Sequence, residues 1–259
     1  MNKIFVDISA FALYNKSIGG IYMQRILSYI RKAIEDYNMI EEGDKIGVAL
    51  SGGKDSISLL MGMKALQRFY PKKFELIAIS VNPGFDFFDK EFLEKTCKDL
   101  DIPLFIEDTN IKEIVFDVRQ EKNPCSLCAN IRRGALNSVA IREGCNKIAL
   151  GHNEDDVLET FLLNLLYTGS IDTFSPVSYM DRSQITLIRP LIYAPESHIK
   201  SFIKRNNIEV MNKVCPADGA SKREDIKNMI KDLKVDIPHI RANLYGAIKR
   251  NLNEWKKED

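Results

Sequence analysis

Residues 45–69 read KIGVAL-SGGKDS-ISLLMGMKALQRF, and the order of their three parts decides the fold. KIGVAL (45–50) is a short apolar run with the length of a buried strand. SGGKDS (51–56) has no side chain at Gly52 and Gly53, so backbone N–H groups there can approach an anion. The apolar run that follows has helical length, and its N-terminus turns a positive dipole toward the same anion. Ser51 and Ser56 add hydroxyl donors, and Lys54 adds a point charge suited to a phosphate. Asp55, at the helix start, is placed to orient Lys54 or to cap the turn. The loop is shorter than the G-x-x-x-x-G-K-[ST] pattern and is a different phosphate loop.

Outward from this unit, apolar runs alternate with amphipathic segments. ELIAISV (75–81), PLFIED (103–108), NKIALG (146–151) and LIRPLI (187–192) have strand length. Helical patterns fall at 89–100, about 126–144 and about 155–167. The alternation predicts an α/β fold: an open, five-stranded parallel sheet covered by helices on both faces. Apolar residues at Ile26, Ile30, Ala33, Ile34 and Tyr37 give residues 21–42 a helical period, with Gly43 as its stop. After Ala194 the pattern is helices and loops, with 14 Lys+Arg against 9 Asp+Glu from residue 200 on. The expected organisation is a helical lead-in (1–43), a sheet domain (44–192) and a basic helical region (193–259).

A second loop supports the first. NKIALG ends in Gly151-His152-Asn153-Glu154-Asp155-Asp156, again before a helix. Ligands of open parallel sheets bind beyond the carboxyl ends of the strands, so both loops are expected at one crevice. Of Asp155 and Asp156, one is expected to hold Mg²⁺ with phosphates completing the octahedron and the other to cap the helix; the sequence does not assign them. His152 has two readings, a catalytic base or a ring that packs or hydrogen bonds near the nucleotide, and the second is favoured.

Five cysteines, an odd number, argue against a disulfide framework. Cys125 and Cys128 form a Cys-x-x-Cys pair at a predicted helix start, where the dipole, Arg132 and Arg133 favour thiolates. By itself the pair reads as half a zinc site, a redox dithiol or part of an iron–sulfur site. No second Cys-x-x-Cys exists, which disfavours a closed four-cysteine zinc site. Cys97 and Cys145 read as buried apolar residues, and Cys215 stands in the tail. Three thiolates would leave one iron of a four-iron cluster open to an exogenous group such as a hydrosulfide.

SGGKDS resembles the signature of the PP-loop ATP pyrophosphatases. DYNMIEEGDKI, CSLCANIRRGAL, KIALGHNEDDVLET, and IRPL followed by a late cysteine resemble the tRNA 2-thiocytidine synthetase (TtcA) family more closely. The resemblance implies an adenine nucleotide α-hydrolase-like fold and the use of ATP, Mg²⁺ and a [4Fe–4S] cluster on Cys125, Cys128 and Cys215. The segment around Cys215, VCPADGASKRED, departs from the family's usual pattern. The implied reaction is adenylation of a cytidine C2 oxygen with pyrophosphate release, followed by sulfur transfer that frees AMP. Lys54, Asp55, Asp155 and Asp156 are the implied catalytic set. Ser51, Gly52, Gly53, Lys54, Asp55, Ser56, Gly151 and His152 are implied to bind ATP, and Arg132 and Arg133 the substrate phosphates.

The implied partners are tRNA and a sulfur donor such as a cysteine desulfurase persulfide or free sulfide. For tRNA phosphates the chain offers Arg25, Arg31 and Lys32, then Lys222, Arg223, Lys227, Lys231, Lys249 and Arg250. A net charge of +1 excludes a generic polyanion binder. No apolar run reaches the roughly 18 residues of a membrane span, and residues 1–10 lack the pattern of a signal peptide, so a cytoplasmic protein is expected. Apolar Ile21 and Tyr22 need covering, by a homodimer partner or by the chain's own core. Two competing readings are a PP-loop sulfurtransferase or ligase with a non-tRNA substrate, and a nucleotide sensor whose iron–sulfur or zinc group is structural.

Overall fold

A computed structural model describes residues 18–118, 124–211 and 222–256. Helix α1 (Ile18–Asp36) leads into β1 (Asp44–Ala49), the glycine loop and α2 (Lys54–Leu66). There follow β2 (Phe74–Asn82), α3 (Lys90–Asp99), β3 (Leu104–Asp108), α4 (Pro124–Arg142), β4 (Lys147–Ala149) and α5 (Glu154–Leu163). The hairpin β5 (Val177–Met180) and β6 (Ile185–Ile188) precedes three helices: α6 (Glu196–Arg205), α7 (Lys222–Asp236) and α8 (Ile240–Asn251).

The strand order is β3-β2-β1-β4-β6-β5. All pairs are parallel except β5–β6. The order reverses between β1 and β4, and at such a switch point two loops diverge and leave a crevice. The loops in question are the two singled out in the sequence. Gly47 on β1 has its reason here: a Cβ would stand 2.6 Å from Ile79 Cδ1 and 3.5 Å from Cys145 Sγ. At the opposite end of the strands a buried ion pair joins Lys147 to Asp44 at 2.8 Å. Asn146 Nδ2 and Glu41 N–H also donate to Asp44, and Lys147 also donates to Met39 O.

Helices cover both faces. One face carries α4, with Leu136, Val139 and Ala140 on Ile77, Ile79 and Ile148. The other carries the larger core, in which Ile26 and Ile30 of α1, Leu60 of α2 and Phe202 of α6 join Trp255 near the C-terminal end. Gly62 lets Ile30 reach α2, since a Cβ there would run into the Ile30 side chain. Trp255 meets Tyr37 and Tyr245 edge to face, which ties it to the turn after α1 and to α8. Tyr22 packs against this core and under the Arg205 guanidinium, so the chain itself covers it.

Three details differ from the sequence reading. The sheet has six strands, not five: β5 adds an antiparallel edge. It is four residues long, and its turn places Gln184, not glycine, at positive φ, so neither length nor turn chemistry marked it. The last strand ends at Ile188, because Arg189-Pro190 turns away from the ladder. Helix α1 ends at Asp36, six residues early; Asn38 at φ 44° breaks it, while Gly43 at φ 82° serves the turn into β1. Among the described residues no helix is long and apolar enough to cross a membrane.

Candidate active site at the sheet switch point

The first loop is wired by its own serines. Ser56 Oγ accepts from the Ser51 N–H and Oγ, both at 3.2 Å, and donates to Gly53 O at 3.0 Å. Gly52 has φ 75°, a conformation that favours glycine, and its carbonyl accepts from Met211 N–H at 2.9 Å. A Cβ there would collide with the Met211 side chain. No side chain caps α2 at Gly53, so the helix presents its dipole and backbone donors as expected of an anion site. Of the two roles open to Asp55, the structure shows the first: its carboxylate takes Lys54 Nζ at 2.7 Å. Burial weakens the Lys54 charge, but Asp55 and Glu196 outweigh it and hold the ammonium pKa above its ordinary value.

The second loop packs directly on the first. A Cβ on Gly151 would lie 3.2 Å from both Asp55 C and Ser56 N, so only glycine lets the backbones meet this closely. Asn153 caps α5, accepting from the N–H groups of Asp155 and Asp156 at 2.9 and 3.2 Å, and its Nδ2 reaches across to Asp55 Oδ1 at 3.1 Å. Asp156 closes the capping box by accepting Asn153 N–H at 2.9 Å, and its other oxygen faces Arg223 at 3.5 Å. Burial, with the charge of Asp55, raises the Asp156 carboxyl pKa. Asp155 is held more firmly, by Arg241 at 2.7 Å and the Glu196 N–H at 2.7 Å. Of the two, Asp156 alone caps α5 with its carboxylate and feels the charge of Asp55, while the Asp155 carboxylate ties α5 to α6 and α8.

His152 Nδ1 accepts from Arg189 Nε at 3.2 Å, and its ring lies 4.7 Å from that of Phe174. Burial, then the charges of Arg189 and Arg223, push its pKa down to about 3. A ring with so low a pKa is a very weak base, and its Nδ1 lone pair is already taken by Arg189, which favours the packing role over that of a base. Arg189 was missed as a site residue. It is 6% exposed, and its partners, His152, Ser175 and Ser178, are all uncharged. The available signal was a charge inside the apolar run LIRPLI.

Beyond β1 and β2 a cavity of about 340 Å³ is lined by Ser51, Ile79, Phe85, Cys125, Cys128 and Arg132. The cysteine pair and the phosphate loop therefore share one space. Cys125 is exposed and Cys128 half-buried on the first turn of α4, and Arg132 donates to Cys128 Sγ at 3.6 Å. The Arg132 Nε is buried with no hydrogen-bond partner. Arg133 instead bonds Asn130 Oδ1 and does not line the cavity. Burial drives the thiols of Cys97 and Cys145 up to about 12 and about 11, which fits their reading as core residues. Cys215 lies outside the described residues. Of the basic side chains proposed for tRNA, Arg31, Arg223 and Lys227 are paired with Glu35, Asp156 and Glu196, and Lys32 and Lys249 lie against Tyr193.

Glu196 and Arg241 were also missed, because tertiary contacts alone bring them in. Arg241 of α8 bridges Asp155 and Glu154, and Glu196 of α6 holds Lys54 at 3.0 Å.

A mostly parallel sheet whose switch point carries this glycine loop defines a PP-loop protein, and residues 23–233 match the PP-loop domain family. Among curated proteins, the tRNA-cytidine(32) 2-sulfurtransferase of Syntrophotalea carbinolica is 40% identical over 87% of this chain and 88% of its own length. That of Pelobacter propionicus is 38% identical over 87% and 85%. The chain belongs to the tRNA-cytidine(32) 2-sulfurtransferase family. Among solved structures, the U34-tRNA thiolase NcsA from Methanococcus maripaludis, determined with its [4Fe-4S] cluster, shares the fold with a TM-score of 0.72. It is 24% identical, with 90% of this chain and 79% of that one covered.

Proposed function

We propose that this chain is an ATP-dependent tRNA thiolase that converts a cytidine to 2-thiocytidine. The observation that carries the proposal is the shared cavity, with Ser51 of the phosphate loop on one wall and Cys125 and Cys128 on another. The cytidine C2 oxygen attacks the α-phosphate of ATP, and pyrophosphate leaves. A hydrosulfide, delivered as free sulfide or freed from a donor persulfide by a two-electron thiol reductant, then adds at C2 and gives up its proton, and the C2–O bond breaks to release AMP.

The roles follow from charge and position. The backbone donors of the glycine loop, the helix dipole and Lys54 stabilise the leaving pyrophosphate. Gly151 and His152 shape the nucleotide side of the crevice. Asp55 and Asp156 are the carboxylates for Mg²⁺. Among the described residues no three acidic, histidine or cysteine side chains form a ready-made metal cage. A magnesium ion held by one or two carboxylates plus phosphate oxygens needs none. Asp155, already bound by Arg241, positions α5 instead. Arg132, with its unpartnered Nε, meets the substrate.

Cys125, Cys128 and Cys215 are the proposed ligands of a [4Fe–4S] cluster. Thiolate donors three residues apart on one helical turn, one exposed and one accepting from an arginine, suit such a group. When bound it supplies the sulfur-transfer chemistry. The test is Cys125→Ala in anaerobically purified protein. Iron content and 2-thiocytidine formation should be lost while ATP still binds. Thiolated tRNA formed at the normal rate would refute the cluster role, and absence of pyrophosphate release from wild type with ATP and tRNA would refute the activation step.

A further inference from the structure

The carboxylate of Glu196 meets three ammonium groups. Lys54 Nζ lies 3.0 Å from Oε1, and Lys200 and Lys227 lie 2.8 and 3.1 Å from Oε2. The side chain is only 14% exposed. Its backbone is fixed as well, since the Glu196 N–H donates to Asp155 of the second loop at 2.7 Å. These cations hold the Glu196 carboxyl down at about 2 against the opposing effect of burial, so it is ionised at any working pH.

Lys54 is therefore clasped between two carboxylates, Asp55 at 2.7 Å and Glu196 at 3.0 Å. A cation so compensated offers little attraction to a phosphate until one carboxylate lets go. The two differ in what they lose. Asp55 is adjacent in sequence to Lys54 and is held in place by Asn153. Glu196, on losing Lys54, keeps Lys200 and Lys227. Separation from Glu196 is the less costly of the two.

We propose that Glu196 is a positioning residue that stands in for the phosphate. It holds Lys54 at the loop in the absence of nucleotide, then yields it to the incoming pyrophosphate group while Lys200 and Lys227 retain the carboxylate. This rests on the phosphate-loop reading above. The benefit is pre-orientation of a flexible lysine, whose immobilisation otherwise costs side-chain entropy at the moment of binding. The cost is competition with the ligand.

The experiment is calorimetric titration of inorganic pyrophosphate into the full chain at fixed ionic strength. Glu196→Gln removes the competing charge and should bind pyrophosphate about fivefold more tightly, the scale of a partly exposed ion pair. Paired with Lys54→Met in a double-mutant cycle, the same change should have less than a twofold effect, because its target is gone. Glu196→Asp keeps the net charge but shortens the reach, so it also should tighten binding; it serves if the Gln variant does not fold. An equal gain with and without Lys54 would mean a general field effect and would overturn the proposal. So would unchanged or weaker binding in both Glu196 variants. Folded wild type that fails to bind pyrophosphate would refute the phosphate-loop reading itself, and this inference with it.

Discussion

Replacing Gly151 with alanine tests the join between the two loops. The backbone at Gly151 is not left-handed, so alanine meets no conformational penalty there. The added Cβ would lie 3.2 Å from Asp55 C and Ser56 N and 3.4 Å from Asp55 O. All three are backbone atoms of the phosphate loop, and none can swing aside as a side-chain tip does. The loops must separate by a few tenths of an ångström. Overpacking of this kind costs about 1–3 kcal/mol of stability. The shift also strains the 3.1 Å bond from Asn153 to Asp55, and with it the Lys54 position. Since a 1 Å misplacement can cost about a hundredfold in rate, a fraction of that predicts about tenfold slower pyrophosphate release. Urea unfolding and a pyrophosphate-release assay with ATP and tRNA measure the two effects. Gly144→Ala is the control: φ is 71° and nothing lies within 4 Å, so it pays the left-handed penalty, about 1–2 kcal/mol, with no effect on release. Stability within about 0.5 kcal/mol of wild type and an unchanged rate in Gly151→Ala would refute the reasoning.

Two further outcomes follow from buried charges. Lys147→Met leaves Asp44 buried without its cation and should cost about 3–5 kcal/mol in urea unfolding, with part of the loss recovered by adding Asp44→Asn. A loss below about 1 kcal/mol would contradict the pairing. Glu159 is 8% exposed, and burial, with the charge of Asp156 adding, pushes its carboxyl up to about 7 from 4.5. Between those values the folded chain holds a proton that the unfolded chain has released, so the Glu159 contribution to stability falls as pH rises from 4.5 to 7 and levels off above. Glu159→Gln should flatten that interval in unfolding free energies measured against pH; an identical slope in both proteins would place the titration elsewhere.

Much of the sheet and both crevice loops were legible in the sequence because their signals are local. KIGVAL and NKIALG are apolar runs of strand length, and although a Gly-Gly step alone reads as an ordinary turn, all six residues of SGGKDS between a strand and a helix point to an anion loop. The Cys-x-x-Cys pair was legible for the same reason, since three residues on a helix define one turn. The edge strand β5 was not, because a four-residue strand with a Gln184 turn carries no period long enough to read. Nor were the contacts of Asp155 and Asp156 legible. The two are neighbours of one type, and only the packing of α8 gives Arg241 to the first while the capping box takes the second. Glu196 lies 142 residues from Lys54, and its ion pairs exist only because α6 docks beside the first loop. The amino-acid sequence by itself determined that a glycine loop stands between a strand and a helix and that two cysteines share one helical turn, since those depend on neighbouring residues and backbone freedom. Tertiary structure alone decided which charges face one another across the crevice, since electrostatic pairing falls off within a few ångströms and depends on distances the chain acquires only by folding.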